Sequence, residues 1–541
     1  MNRTNIKNHS FLVLIAVFII CVIFAKGESN LMNIADTGVI MGVLGTVLAY
    51  VASDKVIPSL ISGVLAGGVM AVMTFVMPVN AILTFGGLFL ILASVIVMKV
   101  MGRLDHEHVI MMLFIAGFWV QFCYVQYTDV TLRQNDVGYF LENQFEPHHA
   151  GYIDYIRHYG WIPSADVREM DQWYHPPLHH LICAYFMRLY GTVFPGLTRN
   201  YEVLQFLTLM YSFLSVVFMR RIIRQFDITE STDRIITAFL VSFPIFIINA
   251  GELNNDILSV MFFVMSVYFI FRWYKGEKKT LFIALSALCI GLGMMTKLSV
   301  WLAAVPVGTV LLAELINTRG RKLKLWGQYL MFGAISFPIG LWFPLRNLIG
   351  WGVPLTYIPV PIYDGSLAQY GVFLRLFDFF GNSGYYNIPY FALWSSLFDD
   401  DDYRANPVWG LMSFAIFMIF ILLVLIAFAG IIYMTYKALK KRRDVALSLA
   451  LVLMVAAELV SYTIFCFEFP YICTMNFRYI IPVTITFALG MANLYDDPFS
   501  GEKVKLVRKI VNSAIIIFAI LSVVFYSSLW IYDCWIIQNP V

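Results

Sequence analysis

The chain has 541 residues, of which 60% are hydrophobic and 13% charged, about half the charged fraction of a soluble domain. Hydropathy this high over such a length means many membrane spans rather than one buried core. The net charge of +3 is small and its basic residues are scattered, which gives nucleic-acid binding no support. Seven cysteines without a CxxC or a Cys/His cluster argue against a zinc or redox site.

Apolar runs of helical length lie at about 10–25, 37–52, 57–77, 80–98, 109–127, 201–219, 235–250 and 257–274. Others follow at about 280–296, 298–316, 326–343, 408–436, 445–467, 479–494 and 510–533, giving about fifteen spans. The first run has the form of a signal-peptide core after Arg3 and Lys7, but the many spans downstream favour a retained helix. Basic linkers orient the rest. Lys99/Arg103, Arg220/Arg221/Arg224, Lys275/Lys278/Lys279, Arg319/Arg321/Lys322/Lys324, Lys440 to Arg443 and Lys503/Lys505/Arg508/Lys509 are all expected in the cytoplasm.

That orientation decides residues 177–194, apolar enough to be a span. Were they to cross, Arg220, Arg221 and Arg224 would lie outside. They also place His180 and Arg188 on one helical face and Leu178, Leu181, Ile182, Tyr185 and Leu189 on the other. Pro177 suits a first turn and Gly191 a stop. An amphipathic helix in the outer interface is expected here. A shorter one is expected at 147–160, with Tyr152, Ile153, Ile156 and Tyr159 toward lipid. Two long loops, 128–200 and 344–407, then face outward. They are rich in Trp, Tyr and Pro, so order is expected rather than a flexible linker.

The outer ends of the spans carry the ionisable residues that need explaining. Asp136 follows directly on a span; a structural pairing with Arg133 is one reading of it. Lys297, in "GMMTKLSVW", and Arg478, in "CTMNFRYIIPV", are outer-face cations against the positive-inside tendency. Both open inward-going helices, where the macrodipole disfavours positive charge by a few tenths of a kcal/mol. A phosphate between them would reverse both penalties; snorkelling to headgroups is the alternative. Arg346 is a further candidate phosphate ligand. Asp256, in "GELNNDILSV", opens a span from outside, where capping and dipole alone account for a carboxylate. His175, before two prolines, is either a cap or a hydrogen-bond donor to phosphate or acceptor. Cys466 and Cys473 either pair on an oxidising face or remain lone thiols. Glu142, Glu146, His148 and His149 have no metal-ligand spacing, and Asp399 to Asp402 read as a solvated loop. Glycines, as in "GTVLAYVASDK", read as helix-packing positions.

The first outer loop reads "TDVTLRQNDVGYFLENQFEPHHAGYIDYIRHYG" and continues to "WYHPPLHHLICAYFMRLYG". An Asp after a span, two short helices and an "HPPL" resemble the C-type (GT-C fold) glycosyltransferases. The nearest branch is that of the protein O-mannosyltransferases (dolichyl-phosphate-mannose-dependent) and lipid-A aminoarabinose transferases. These polytopic enzymes take a sugar from a polyprenyl-phosphate carrier. The resemblance covers about 109–350 and 445–495, including "TK", "ND" and "RY..P" segments similar to the family's; the aminoarabinose branch has a lysine before its proline where His175 stands.

The resemblance implies that Asp136 is the general base that deprotonates an acceptor hydroxyl, with inversion at the sugar. One carboxylate suffices: inverting hydrolases need an acid for an alcohol leaving group, whereas a polyprenyl phosphate leaves as a stable anion held by cations. The implied donor-phosphate ligands are Lys297, Arg478, Arg346 and His175; Asp256, Arg133 and His180 are acceptor-side or structural. No cofactor or divalent metal is indicated.

The expected architecture is an all-α polytopic membrane protein. Residues 1–98 form a four-span module, 99–343 a catalytic core, 344–407 a second outer loop and 408–541 the C-terminal spans. The expected function is sugar transfer from a polyprenyl-phosphate donor to an unidentified glycan, lipid or protein acceptor outside the cell membrane. A transporter or flippase of lipid-linked sugars is the alternative, although transporters place ionisable residues near the midplane on broken helices. A cell-surface polysaccharide polymerase is another.

Overall fold

The computed structural model describes residues 30–138, 148–193, 201–276, 278–320, 322–360, 366–379, 381–441, 444–496 and 502–538. Among them every regular element is helical. Among the described residues twelve helices are long and apolar enough to cross a membrane, and the pair Cys473–Ile480 and Val483–Asp496, bent by 58°, adds a thirteenth. The run expected at 280–296 forms the shorter Thr280–Met294. Those helices take up every expected run but the first, which lies outside the described residues, as do Arg3, Lys7, Arg321, Arg442 and Arg443. The chain is an all-α, multi-pass membrane protein.

Local sequence explains several details. Asn30–Ser53 and Val56–Met73 approach closely because Gly38 and Gly42 face Gly67 and Gly63, where a side chain would strike the opposite backbone. These first spans share one core with the next: Ile40, Met41 and Leu44 pack in a cluster with Trp119, Phe122 and Phe206, and Trp119 Nε1 donates to the Leu83 carbonyl at 2.9 Å. The span Glu230–Gly251 breaks at Phe243, and Pro244 opens its second half, a position that needs no N–H.

Two ends of the bundle are defined by their ties. At one, Asp233 takes Arg220 at 2.6 Å and His106 at 3.1 Å. Asp496 accepts from the Thr229 N–H at 2.8 Å, and Lys275 pairs with Asp444 and Lys278 with Glu314. This is the basic end. At the other end the two long loops meet: Asn135 bonds Asp399, Arg168 bonds the Trp351 carbonyl, and Leu178 N–H donates to the Met295 carbonyl.

The expected short helices form as His148–Tyr159 and Leu178–Val193, but their faces need correction. Tyr152, Ile153 and Ile156 are at most 1% exposed and pack on Trp173 and Met187 rather than toward lipid; of the expected lipid face only Tyr159 is exposed. In the second helix Tyr185 and Leu189 do face outward. His180, expected beside Arg188 on a polar surface, is fully buried. Cys466 and Cys473 are free thiols, and Cys466 Sγ bonds the Thr474 carbonyl.

Candidate active site

Four residues far apart in sequence converge at the loop end. Arg478 lies in the short turn Phe477–Ile480, whose backbone is fixed when Asn476 Oδ1 accepts the Arg478 N–H at 2.9 Å. Its Nη2 donates to Asp136 Oδ2 at 2.9 Å, while Nε lies 3.6 Å from Asp256 Oδ2. That Nε is buried and has no hydrogen-bond partner among the described residues. Lys297 Nζ binds the other oxygen of Asp256. Beneath both cations lies the Tyr479 ring, 4.5 Å from Lys297 Nζ and 5.2 Å from Arg478 Cζ, a favourable face for positive charge.

Exposure separates the two carboxylates. The Asp256 side chain is 4% exposed and that of Asp136 is 32% exposed, so Asp136 alone is open to an incoming molecule. It sits at φ +56°, a left-handed conformation that aspartate tolerates and other side chains rarely adopt. Its carbonyl and that of Val137 accept the His149 and Ala150 N–H groups, which satisfies the first turn of His148–Tyr159 and pins Asp136. Arg133, which one reading pairs with Asp136, instead bridges Asp401 and Asp533.

Asp256 opens Asp256–Lys275 but its carboxylate binds cations rather than the helix N-terminus. Burial pushes the Lys297 ammonium below its ordinary range, and the Asp256 charge opposes that. Asp256, Lys297, Arg478 and Tyr479 line a pocket with Ser259, Phe263 and Glu458.

The remaining expected ligands are engaged elsewhere. Arg346 donates to the Pro163 carbonyl and Asn347, with its guanidinium 4.6 Å over the Trp351 ring; it clasps the two loops together. His175 stacks on His149, ring centroids 5.4 Å apart, and His149 Nδ1 lies 2.8 Å from His180 Nε2. Burial depresses the pKa of all three well below the histidine range; for His175 the Lys297 charge adds to this. His175 is therefore neutral at pH 7 and can contribute a hydrogen bond but no charge.

Sequence reasoning missed the buried carboxylates Asp399 and Glu252 behind these residues. Asp399, read as solvated, is buried and accepts from Asn476 at 2.5 Å and Asn135 at 2.9 Å. Asn135 also reaches Glu252 at 3.2 Å. Burial and the Asp400 charge raise Asp399 to about 7, and burial followed by Asp399 raises Glu252 well above the carboxylate range. The only hint in sequence was that Asn135 and Asn476 each stand within two residues of a candidate. Glu142 and Glu146 lie outside the described residues, and no group of three metal-ligating side chains occurs among those described.

Residues 174–342 match the family described as dolichyl-phosphate-mannose-protein mannosyltransferase, a stretch that holds His175, Asp256 and Lys297. No curated protein sequence matches the chain. Among solved structures it is similar to ArnT from Cupriavidus metallidurans in the apo state: 13% identity, 77% of this chain and 75% of that one covered, TM-score 0.46. It is also similar to the archaeal oligosaccharyltransferase AglB from Archaeoglobus fulgidus, solved with an inhibitory peptide and a dolichol-phosphate, at 12% identity and TM-score 0.47. That match covers 78% of this chain and spans 56% of the oligosaccharyltransferase.

Proposed function

We propose that this protein is a GT-C-type membrane glycosyltransferase that moves a hexosyl or pentosyl group from a polyprenyl-phosphate carrier to an acceptor hydroxyl on the extracytoplasmic face. Asp136 takes the hydroxyl proton as the oxygen attacks the sugar's C1 from the side opposite the phosphate, inverting that carbon. The bond from C1 to the phosphate oxygen breaks, and its electrons leave on the phosphate. Lys297 and Arg478 hold that charge, so no general acid is required. Tyr479 and Asp256 position the two cations.

The observation that carries this reading is the reach of one guanidinium. Arg478 touches the open carboxylate Asp136 with Nη2 and keeps a buried, unbonded Nε beside the Lys297–Asp256 pair. A base and an anion site thus share one wall. The matched family segment supports lipid-linked sugar as donor. The outward orientation is supported by the basic linkers, which gather at the end opposite the two long loops. The test is transfer by purified protein in nanodiscs from a synthetic polyprenyl-phosphate sugar, followed by mass spectrometry. The expected result is release of polyprenyl phosphate and a glycosylated acceptor. In sealed proteoliposomes, donor that crosses the bilayer unconsumed would replace this reading with a flippase.

A further inference from the structure

One ionisable group in the pocket has no role in the reaction as proposed. Glu458 lies within the span Val445–Glu468, roughly 15 Å along the helix axis from its outer end. It is 3% exposed and lines the same pocket as Asp256, Lys297, Arg478 and Tyr479. Among the described residues its carboxyl has no hydrogen bond and no ion pair. Intramembrane carboxyls in such positions are rare and call for a partner.

Charge decides what Glu458 can do. The two cations already face two carboxylates, Asp136 and Asp256. A third carboxylate would leave the pocket net negative and repel a phosphate. An unpaired carboxylate at this depth costs far more than the neutral acid, and the neutral acid has one O–H to donate. We propose that Glu458 acts as a neutral carboxylic acid that donates a hydrogen bond to the phosphodiester of a lipid-linked sugar. This rests on the donor class proposed above and adds a specificity residue to it. It makes donor binding depend on the Glu458 proton.

Other groups facing Glu458 also titrate or carry charge. Asp256 faces it from Asp256–Lys275, Lys297 from the turn before Leu298–Ala303, and Arg478 and Tyr479 from Phe477–Ile480. On its own helix Tyr462 and Cys466 lie nearer the outer end. Cys473 lies in the short helix Cys473–Met475, which also packs on this span, and the longer helices packed on it, Ala304–Asn317, Pro407–Lys441 and Val483–Asp496, carry titratable groups only toward the basic end, from Glu314, Tyr433 and Tyr495 onward. A Glu458→Gln variant separates Glu458 from all of these, since the amide keeps a donor and cannot ionise.

The test measures binding of a polyprenyl methyl phosphate to the full chain in nanodiscs from mildly acidic to mildly alkaline pH. This diester does not itself titrate there, and free polyprenol is the control. Wild-type affinity should fall as pH rises, whereas Glu458→Gln should bind as the wild type does at acid pH and lose the dependence. Glu458→Ala should bind about fivefold to tenfold more weakly at acid pH, the loss of one hydrogen bond. If Glu458→Gln keeps the wild-type pH profile, or Glu458→Ala binds normally, the inference is wrong while the donor reading stands. Should wild type bind diester no better than polyprenol, the donor reading itself fails. If the alanine variant does not fold, the glutamine profile decides.

Discussion

The basic end and the loop end of the bundle both hold ion pairs, but of different kinds. At the basic end the Lys275–Asp444 and Lys278–Glu314 pairs are 17–30% exposed on both sides, where such pairs contribute little. Among the described residues of these pairs Asp233 is the deeply buried one, and it has Arg220, Arg224 and His106 around it. At the loop end Arg478 and Asp256 are each 4% exposed, and one buried Arg478 N–H is unbonded. Behind them Asn135 bridges Glu252 and Asp399, which also accept from Asn254 and Asn476. Buried charges with incomplete partners lower stability, and their gathering in a cleft fits the site proposed here. The basic end anchors helices; the loop end keeps buried charge beside an open carboxylate, as the proposed site requires.

The largest expected effect on stability lies at the basic end. Asp233→Ala leaves Arg220 and His106 without their shared carboxylate, and unfolding in detergent should show a loss on the order of 3 kcal/mol, with donor affinity unchanged in the folded fraction. A donor-binding defect there would erase the contrast between the ends. Lys297→Ala should instead act on the ligand. Donor affinity in the folded fraction should drop about tenfold to a hundredfold, one charge-assisted bond, an effect that Asp233→Ala does not produce. Unaltered donor binding in both Lys297→Ala and Arg478→Ala would return these cations to headgroup snorkelling.

A smaller effect concerns pH. Asp399 has a folded-state pKa of about 7, above the ordinary value of about 3.9. The stability that comes from keeping it neutral is complete below about pH 4 and is lost as pH rises toward 7. Thermal midpoints should therefore decline over that window, and the decline should shrink in Asp399→Asn; an identical slope would mean that Asp399 is not the titrating group. The smallest perturbation is cysteine labelling in a background without native cysteines. Glu169→Cys and Ala368→Cys are exposed at the loop end and Lys324→Cys at the basic end. An impermeant reagent applied outside should label the first two and spare the third. The opposite pattern would invert the molecule in the membrane.

Spans and ends were legible in the sequence because hydropathy and basic linkers act locally along the chain. Asp136, Lys297 and Arg478 stood out because each is charged where charge is costly. What the sequence could not convey was pairing. Asp136 and Arg478 are 342 residues apart, whereas Arg133, three residues from Asp136, turns to Asp401 and Asp533. The aspartates at 399–402 looked solvated because a run of like charges usually is. Two asparagines from distant segments bury the first of them. The amphipathic helix 148–159 misled for a related reason: its apolar face fits lipid or protein equally well, and Trp173 and Met187 supply protein.

The most direct measurement compares turnover and donor affinity in Asp136→Asn, matched for folded protein. The amide keeps size and hydrogen bonding but cannot accept the acceptor's proton. General-base catalysis is worth about 10²–10⁴ in rate, so kcat should fall by that order while the donor Kd stays near that of the wild type. Turnover near normal in Asp136→Asn, above all alongside a dead Asp256→Asn, would place the base on the wrong carboxylate.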